Sequence, residues 1–296
     1  MIERSAWATV AAYRLALPLA GAAPPSLAYP ILDRVADLVR LAAPGARHAV
    51  EANLAQVLGS RGRRHAWAVR GVFRHVLRNY YDTFRLPSAT DQEIRERVVI
   101  SGRERLHAAL AAGRGAILVT AHVSSVAWAA QALALAERGG TVVVEPVEPP
   151  ELLELMLRAR GSHGLTYRAL HPTLFAELGA ALRRNELVFL VADRDVGGTG
   201  ISVPFFGRQT RLPVGPALLA LRYGAPILPT FVSRRADGRL GGEIGPPLPI
   251  ARSGRRRADL EGITRLVTRQ LEYHIGRHPE QWTVLQRVWA EGGGEG

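Results

Sequence analysis

Residues 115 to 125 read GAILVTAHVSS, and this stretch decides the fold. A glycine opens a run of five apolar or β-branched residues, which is the length of a buried strand, and His122 follows almost at once. A second stretch of the same kind, LVFLVADRD at residues 187 to 195, brings Asp193 to the end of its apolar run. Both stretches are typical strands of a parallel or mixed sheet that helices cover.

The same alternation of strand and helix patterns continues on either side of these two stretches. Two further strands are predicted at residues 141–144 and 225–232. Helices are predicted at residues 125–138, 150–161, 173–184, 214–223 and, as a last basic amphipathic helix, 256–277. We therefore predict an α/β domain over residues 91–290, with a central, mostly parallel or mixed sheet flanked by helices.

Residues 1–90 have a helical pattern without strand signals. The apolar part, residues 6–28, carries Arg14 and three prolines, which disfavours a membrane-spanning helix. A signal peptide is the competing interpretation. It is disfavoured because Glu3 lies in the short leading region and Arg14 lies inside the apolar stretch. We expect a helical segment that lies against a membrane or packs on the core, and a disordered glycine-rich tail at residues 291–296.

The composition excludes several kinds of chemistry. The chain has no Cys and no Lys, so its 38 basic residues are all Arg and its formal charge is +12. A disulfide framework, a thiolate nucleophile, a lysine Schiff base and a P-loop are thereby excluded. The nine histidines form no ligand cluster in sequence, so we predict no metal and no cofactor. The charge favours an anionic partner, which could be nucleic acid, anionic lipid or a phosphorylated substrate.

One basic helix leaves two interpretations open. Arg70, Arg74 and Arg78 recur at helical spacing within the helix predicted at residues 67–84. They form either a solvated basic face or a face for anionic lipid head groups, and the first is the more common case.

His122 and Asp193 are the strongest candidates for chemistry. Reactive groups in α/β sheets gather at the carboxyl ends of the strands, where both residues are predicted to lie. Ser124 and Ser125 raise the alternative of a serine hydrolase, but the nucleophile-elbow pattern Gly-x-Ser-x-Gly is absent there. We expect one of these serines to cap the following helix instead.

From about Leu54 to Trp289 the sequence resembles the bacterial acyltransferases that acylate lipid A, and still more their actinobacterial relatives that acylate phosphatidylinositol mannosides. The matching stretches are GRGAILVTAH (113–122), VEPPEL (147–152), ADRD (192–195), VPFFG (203–207), LPVGPALLA (212–220), GAPILP (224–229) and PEQW (279–282). Their order and spacing together are highly specific.

The resemblance implies the glycerolipid-acyltransferase α/β fold and direct transfer of a fatty acyl group to a hydroxyl of a membrane glycolipid. Acyl-CoA or acyl-carrier protein would be the donor, and His122 the general base. A lipid acceptor, the positive charge and the helical N-terminal segment together suggest a peripheral protein on the cytoplasmic face of the cell membrane, in contact with its anionic surface.

The sequence departs from the family at one position. The family carries an acid five residues after the histidine, and here that position is Ala127. Three accounts are open. Asp193, whose place matches a catalytic carboxylate of the mannoside-acylating relatives, supplies the charge; His122 works alone; or the protein is an impaired, lipid-binding relative. We favour the first account.

The resemblance also suggests substrate-binding residues. Arg194 is the first choice for a substrate phosphate, and Arg208 and Arg211 are weaker candidates for the phosphates of a nucleotide-bearing donor. Phe205 and Phe206 pack the core or line an acyl groove. Backbone N–H groups near residues 197–200 and near Ser124 and Ser125 are candidates to bind an oxyanion.

A nucleic-acid-binding protein is the rival from another class, because the chain is rich in Arg. It lacks zinc-finger cysteines and an aromatic RNA-binding strand, so we expect no nucleic-acid partner.

Overall fold

The computed structural model describes residues 2–137, 139–161 and 163–290. The predicted disordered tail, residues 291–296, lies outside the described residues. Four helices form the N-terminal part: α1 (Ile2–Ala22), α2 (Pro25–Ala42), α3 (Pro44–Leu58) and α4 (Arg63–Arg85). Helices α2 and α3 both start at a proline, which suits the first turn of a helix because its N–H has no intrahelical acceptor there.

Helix α2 is held on α4 by a ladder of ion pairs. Arg70 and Arg74 bind Asp37 at 2.5 and 2.8 Å, and Arg78 binds Asp33 at 2.6 Å. These arginines are therefore paired with the acids of α2. Arg70 still keeps 48% of its side chain accessible, as a solvated basic face predicts, whereas Arg74 and Arg78 keep 27% and 23%. Contact of this face with lipid head groups stays a prediction. The sequence pattern showed the basic side of α4 but could not show which element would lie against it.

The opposite side of the α1–α2 pair exposes large aliphatic side chains. The most exposed are Leu15, Leu19, Leu27, Ile31, Leu38 and Leu41, each with 59–69% of its surface accessible. Among the described residues, no helix combines the length and the apolarity needed to cross a bilayer. The expected contact with a membrane surface remains a prediction.

The α/β part begins with helix α5 (Asp91–Arg97) and contains a seven-stranded sheet in the order β1-β9-β8-β2-β5-β3-β4. Its strands are β1 (Val98–Ser101), β2 (Ala116–Thr120), β3 (Gly140–Val144), β4 (Leu165–Ala169), β5 (Leu187–Val191), β8 (Ile227–Arg234) and β9 (Leu240–Ile244). Every neighbouring pair is parallel except β8 and β9. The predicted fold class is confirmed.

The sheet is covered on both faces. Its helices are α6 (Arg103–Ala111), α7 (Val126–Ala136), α8 (Pro150–Arg160), α9 (Leu174–Arg183), α10 (Gly215–Tyr223) and α11 (Arg256–Arg277). Leu118 of β2 belongs to a core shared with α6 and α7, whereas its neighbours Ile117 and Val119 belong to a core shared with α9, α10 and α11. An antiparallel hairpin, β6 (Ile201–Phe205) and β7 (Arg208–Leu212), lies outside the main sheet.

A buried ion cluster ties the N-terminal helices to this sheet. Asp82 of α4 is fully buried and binds Arg234 of β8 at 2.5 Å, Arg97 of α5 at 2.7 Å and the hydroxyl of Tyr29 of α2 at 2.7 Å. Burial raises the pKa of the carboxyl group, but the two guanidinium groups outweigh this and hold it below its ordinary value. Removing one member of such a cluster leaves a buried charge unpaired, at a cost of about 3–5 kcal/mol.

Candidate active site

His122 and Asp193 meet at the carboxyl edge of the sheet. Strands β2 and β5 are parallel neighbours that pair Thr120 with Val191, so the two residues that follow them emerge side by side. Nδ1 of His122 lies 2.7 Å from Oδ1 of Asp193, and the backbone N–H of His122 donates to Oδ2 at 3.1 Å. The register of the sheet therefore creates this pair.

The pair fixes which imidazole nitrogen can accept a proton. Asp193 is fully buried, which raises its pKa, but His122 and two further hydrogen-bond donors outweigh this and keep the pKa below its ordinary value. An ionised carboxylate can only accept hydrogen bonds, so Nδ1 of His122 carries the proton. Nε2 keeps its lone pair and can act as a base.

A C-terminal segment holds both residues in place. After the 3₁₀ turn Pro279–Gln281, Nε1 of Trp282 donates to Oδ2 of Asp193 at 2.7 Å. The backbone N–H of Thr283 donates to the carbonyl of His122 at 2.8 Å, and the carbonyl of Gln281 accepts from the N–H of Ser124 at 3.0 Å. The PEQW motif was visible in the sequence, but no role followed from it, because a stretch far along the chain gives no sign of which loop it will support.

Glu145 is a site residue that the sequence analysis missed. It follows strand β3, and its Oε1 lies 3.8 Å from Nε2 of His122. The guanidinium group of Arg194 binds both oxygens of Glu145 at 2.6 Å and also donates to Gln286. The rule that found His122 and Asp193, a polar residue at the carboxyl end of an apolar strand, would also have found Glu145. Arg194, expected to meet a phosphate, is here held by a carboxylate.

The two serines take unusual positions. Ser124 has φ 44°, in the left-handed region, and Ser125 is the N-cap residue of α7. Neither hydroxyl caps the helix: both Oγ atoms are buried and have no hydrogen-bond partner among the described residues. The capping expectation was wrong, because Ser125 adopts φ −94° and ψ 68°, away from the extended backbone usual at an N-cap. Both serines instead line a cavity.

His122 opens into a cavity of about 700 Å³ that extends to both faces of the sheet. The first part, here called the α7 lobe, lies between the sheet and helices α7 and α8. Its floor includes residues from all seven strands: Ile100, Leu118, Val142, Tyr167, Phe189, Val232 and Ile244. Its roof includes Ala127, Ala129 and Ala130 of α7. These small side chains leave space that larger residues would fill.

The second part, the α10 lobe, lies on the opposite face of the sheet. Its walls are Leu190 of β5, Leu174, Phe175 and Leu178 of α9, and Pro213, Leu218 and Leu219 in and before α10. His122, Glu145, Arg194 and Gln286 also line the cavity, and they supply its polar groups. The site thus combines a histidine, a polar cluster and two apolar lobes.

Ala127 lines the α7 lobe. Its side chain belongs to the roof of an apolar space, whereas Nδ1 of His122 is already bound by Asp193. The geometry agrees with the account in which Asp193 takes the place of the missing acid.

The aromatic and basic candidates of the hairpin lie apart from this cavity. Phe205 is fully buried and packs on Trp282 and Trp289, so it belongs to the core rather than to the lining of the cavity. The N–H of its neighbour Phe206 donates to Glu272 at 2.5 Å. Two basic residues of β7 lie on the surface: Arg208 donates to the carbonyl of Ala290, and Arg211 lies 3.6 Å from Asp195. The structure brings none of the four into contact with His122.

Comparisons with known proteins agree with the resemblance read from the sequence. The profile of a family described as "Bacterial lipid A biosynthesis acyltransferase" matches residues 3–291. A phosphatidylinositol mannoside acyltransferase of Mycobacterium tuberculosis (strain ATCC 25618 / H37Rv) is 36% identical over 219 residues, which cover 72% of this chain and 67% of the relative. One from Mycolicibacterium smegmatis is 30% identical over 226 residues, covering 75% and 72%.

Proposed function

We propose a reaction for this chain because it belongs to the bacterial lipid A biosynthesis acyltransferase family. It transfers a fatty acyl group from a thioester donor, acyl-CoA or acyl-carrier protein, to a hydroxyl of a membrane glycolipid. The observation that carries this proposal is the His122–Asp193 pair at the junction of two apolar lobes.

The histidine acts as the general base. Nε2 of His122 takes the proton of the acceptor hydroxyl while that oxygen attacks the thioester carbonyl. The tetrahedral intermediate then collapses, the C–S bond breaks, and the departing thiolate takes the proton from His122. Asp193 stabilises the imidazolium through Nδ1, and Glu145, 3.8 Å from Nε2, adds a second negative charge. No acyl-enzyme forms.

The first turn of α7 is the best candidate to bind the oxyanion. Its N–H groups have no acceptor inside the helix, and Val126 and Ala127 line the cavity. Two backbone N–H groups in the regions that the sequence suggested for the oxyanion are less suitable, because both are already bound. The N–H of Ser124 donates to the carbonyl of Gln281, and the N–H of Gly200 donates to the carboxylate of Asp195.

The α7 lobe is suited to the acyl chain of the donor. It is apolar and begins beside His122, so a chain in this lobe would place its thioester carbonyl between Nε2 and the start of α7. Burying a chain there contributes about 0.8 kcal/mol per CH₂ group.

The polar groups at the junction are suited to a sugar or polyol head group. A carboxylate accepts hydrogen bonds from hydroxyls, and the carboxylate of Glu145 is held beside Nε2 of His122 by Arg194. The names of the relatives suggest a phosphatidylinositol mannoside as acceptor. A lipid A precursor is the second candidate, suggested by the family description.

The exposed apolar face of α1 and α2 supports the proposal that the protein contacts a membrane surface. Ile31 and Leu38 of α2 are 64% and 66% exposed, and Arg34 lies exposed between them. Apolar side chains with adjacent cations suit an anionic lipid surface. We place the protein on the cytoplasmic face of the cell membrane, as a peripheral protein without a nucleic-acid partner.

The test is a transfer assay with labelled palmitoyl-CoA and vesicles that contain a mannosylated phosphatidylinositol or a lipid A precursor. We expect labelled acceptor with the natural protein and none with His122→Ala. His107→Ala is the matched control, because His107 is exposed and pairs with Glu137 away from the site. Equal transfer by natural protein and His122→Ala would refute the proposal. Binding of acceptor vesicles without any transfer would favour the impaired lipid-binding relative, and a labelled covalent enzyme would favour a Ser124 or Ser125 nucleophile.

A further inference from the structure

The two lobes of the cavity cannot serve one straight hydrocarbon chain. The α7 lobe contacts Leu118 and Phe189, while the α10 lobe contacts Leu190, the next residue of β5. Successive residues of a strand point to opposite faces of the sheet, so the two lobes lie on opposite sides of it. They meet at its carboxyl edge, beside His122.

The α10 lobe is as apolar as a chain-binding site requires. Its accessible walls from α9, α10 and the residues before α10 are the partly buried side chains of Phe175, Pro213 and Leu218, and the almost fully buried Leu178 and Leu219 lie behind this surface. The nucleotide or carrier-protein part of a thioester donor is polar and charged, and would lose its hydration in such a space without compensation. The lobe therefore needs an apolar occupant other than the donor's head group.

The polar groups at the junction identify the molecule to which this occupant belongs. Glu145, Arg194 and Gln286 form a hydrogen-bonded group that lines the same cavity as the α10 lobe and reaches Nε2 of His122. A glycolipid with a hydroxyl at Nε2 would set its head group on these residues. One of its hydrocarbon chains is then within reach of the α10 lobe.

We propose that the α10 lobe binds one hydrocarbon chain of the acceptor lipid, so that the protein draws this chain out of the bilayer while the donor chain occupies the α7 lobe. This inference rests on the acyl-transfer function proposed above. The acceptor must then already be acylated, and a reaction that attaches a fatty acyl chain to the acceptor's backbone has to come first.

The test compares two water-soluble acceptors, below their micelle concentrations, so that no membrane takes part. One is a mannosylated phosphatidylinositol with two hexanoyl chains, and the other is the same head group without chains. We expect the chain-bearing acceptor to have a kcat/KM at least about 10-fold higher, since several CH₂ groups are buried with it. Equal values would overturn the inference while leaving the transfer function intact, and no transfer to either acceptor or to acceptor vesicles would count against the function itself.

Two variants assign the lobes. Leu218→Trp fills the α10 lobe from a half-buried position on α10, and Ala130→Leu fills the α7 lobe from a half-buried position on α7. Leu218→Trp should lower the preference for the chain-bearing acceptor to about 2-fold or less and leave the preferred length of the acyl-CoA chain unchanged. Ala130→Leu should leave the preference for the chain-bearing acceptor unchanged and shorten the preferred donor chain by about two to four carbons.

A donor-length shift in Leu218→Trp would show that the α10 lobe holds the donor, and would overturn the inference. If Leu218→Trp does not fold, as judged by circular dichroism, Phe175→Trp narrows the same lobe from α9, where Phe175 is only partly buried. It should change the acceptor preference in the same direction, and an unchanged preference would overturn the inference.

Discussion

Nδ1 of His122 lies 2.7 Å from Oδ1 of Asp193, although 71 residues separate them in sequence. The family pattern supplies its acid from the helix that follows the histidine, and here that position is Ala127 in the roof of the α7 lobe. The neighbouring strand provides the carboxylate instead. A local motif is thus replaced by a contact that depends on the register of β2 and β5.

Asp193→Asn should lower kcat by about 10²–10⁴-fold with little change in KM, because the amide no longer stabilises the imidazolium. Transfer assays at saturating donor and acceptor measure this. Asp237→Asn, in an exposed turn, is the control and should retain full activity. Natural turnover in Asp193→Asn, together with an inactive His122→Ala, would mean that His122 works alone.

Ala127→Asp should reduce activity rather than restore a family-like dyad. The new carboxyl group would enter the apolar α7 lobe, at a cost of about 1–3 kcal/mol even in its protonated form, which is about 5- to 160-fold in kcat/KM for a long-chain donor. Ala127→Asn is the matched neutral variant and should lose less. A marked rise in turnover for Ala127→Asp alone would show that the natural protein is a weakened catalyst.

Trp282→Phe should shift the acid limb of the pH profile of kcat/KM upwards by up to about one pH unit. The indole N–H helps to hold the pKa of Asp193 down, so its loss raises that pKa and the His122–Asp193 pair takes up a proton at higher pH. Trp289→Phe is the matched control, since Trp289 is equally enclosed but donates to the carbonyl of Phe205. Identical pH profiles for the two variants would show that Trp282 contributes through packing alone and not through its hydrogen bond to Asp193.

Ile31→Glu should weaken sedimentation with anionic phosphatidylglycerol vesicles by about 10-fold or more, because an exposed isoleucine that enters the lipid contributes about 1.5–3 kcal/mol. Its transfer to a water-soluble acceptor should stay unchanged. Tyr273→Glu on α11 replaces another exposed apolar residue and serves as the control. If both variants sediment like the natural protein, α2 does not contact the membrane.

The fold should lose stability in mild acid through His75. Burial, followed by the nearby charges of Arg234 and Arg78, lowers its pKa from 6.5 to about 4. The unfolded chain therefore binds the proton first, and the stability present above pH 6.5 falls by about 3 kcal/mol as the pH drops to 4. Denaturant unfolding at a series of pH values measures this slope. His75→Gln should reduce this slope without abolishing it, because burial also lowers the pKa of His274 to about 4. An unchanged slope would exclude His75 as a source.

The sequence predicted those helices and strands whose own residues form a recognisable pattern. The apolar runs of β2 and β5 were strong enough to predict both strands and the residues that follow them. Five strands, β1, β4, β6, β7 and β9, were not predicted. For β7 and β9 the reason is their composition: RQTRL is polar and LGGEI contains two glycines, so neither shows an apolar strand pattern. Their pairing comes from their neighbours in the fold.

The unpredicted parts of the site share one cause. Trp282 donates to Asp193 from 89 residues away, and the family motif that contains it carried no information about that partner. Likewise, nothing in the sequence indicated that Asp33 and Asp37 of α2 would pair with Arg70, Arg74 and Arg78. Contacts of this kind depend on how the elements pack, and no sequence period encodes them.

The position of Trp282 and Thr283 in the chain has a consequence for biosynthesis. The strands that carry His122 and Asp193 leave the ribosome long before the segment that fixes them. A nascent chain that ends at His278 lacks the indole donor of Trp282 to Asp193 and the hydrogen bonds that the N–H and the hydroxyl of Thr283 donate to the carbonyl of His122. Because domains made during synthesis fold from the N-terminus, the sheet can pair early while His122 and Asp193 remain without this support. The site is completed only after Trp282 and Thr283 have been synthesised, so nascent chains that stop before them do not carry a fully assembled site.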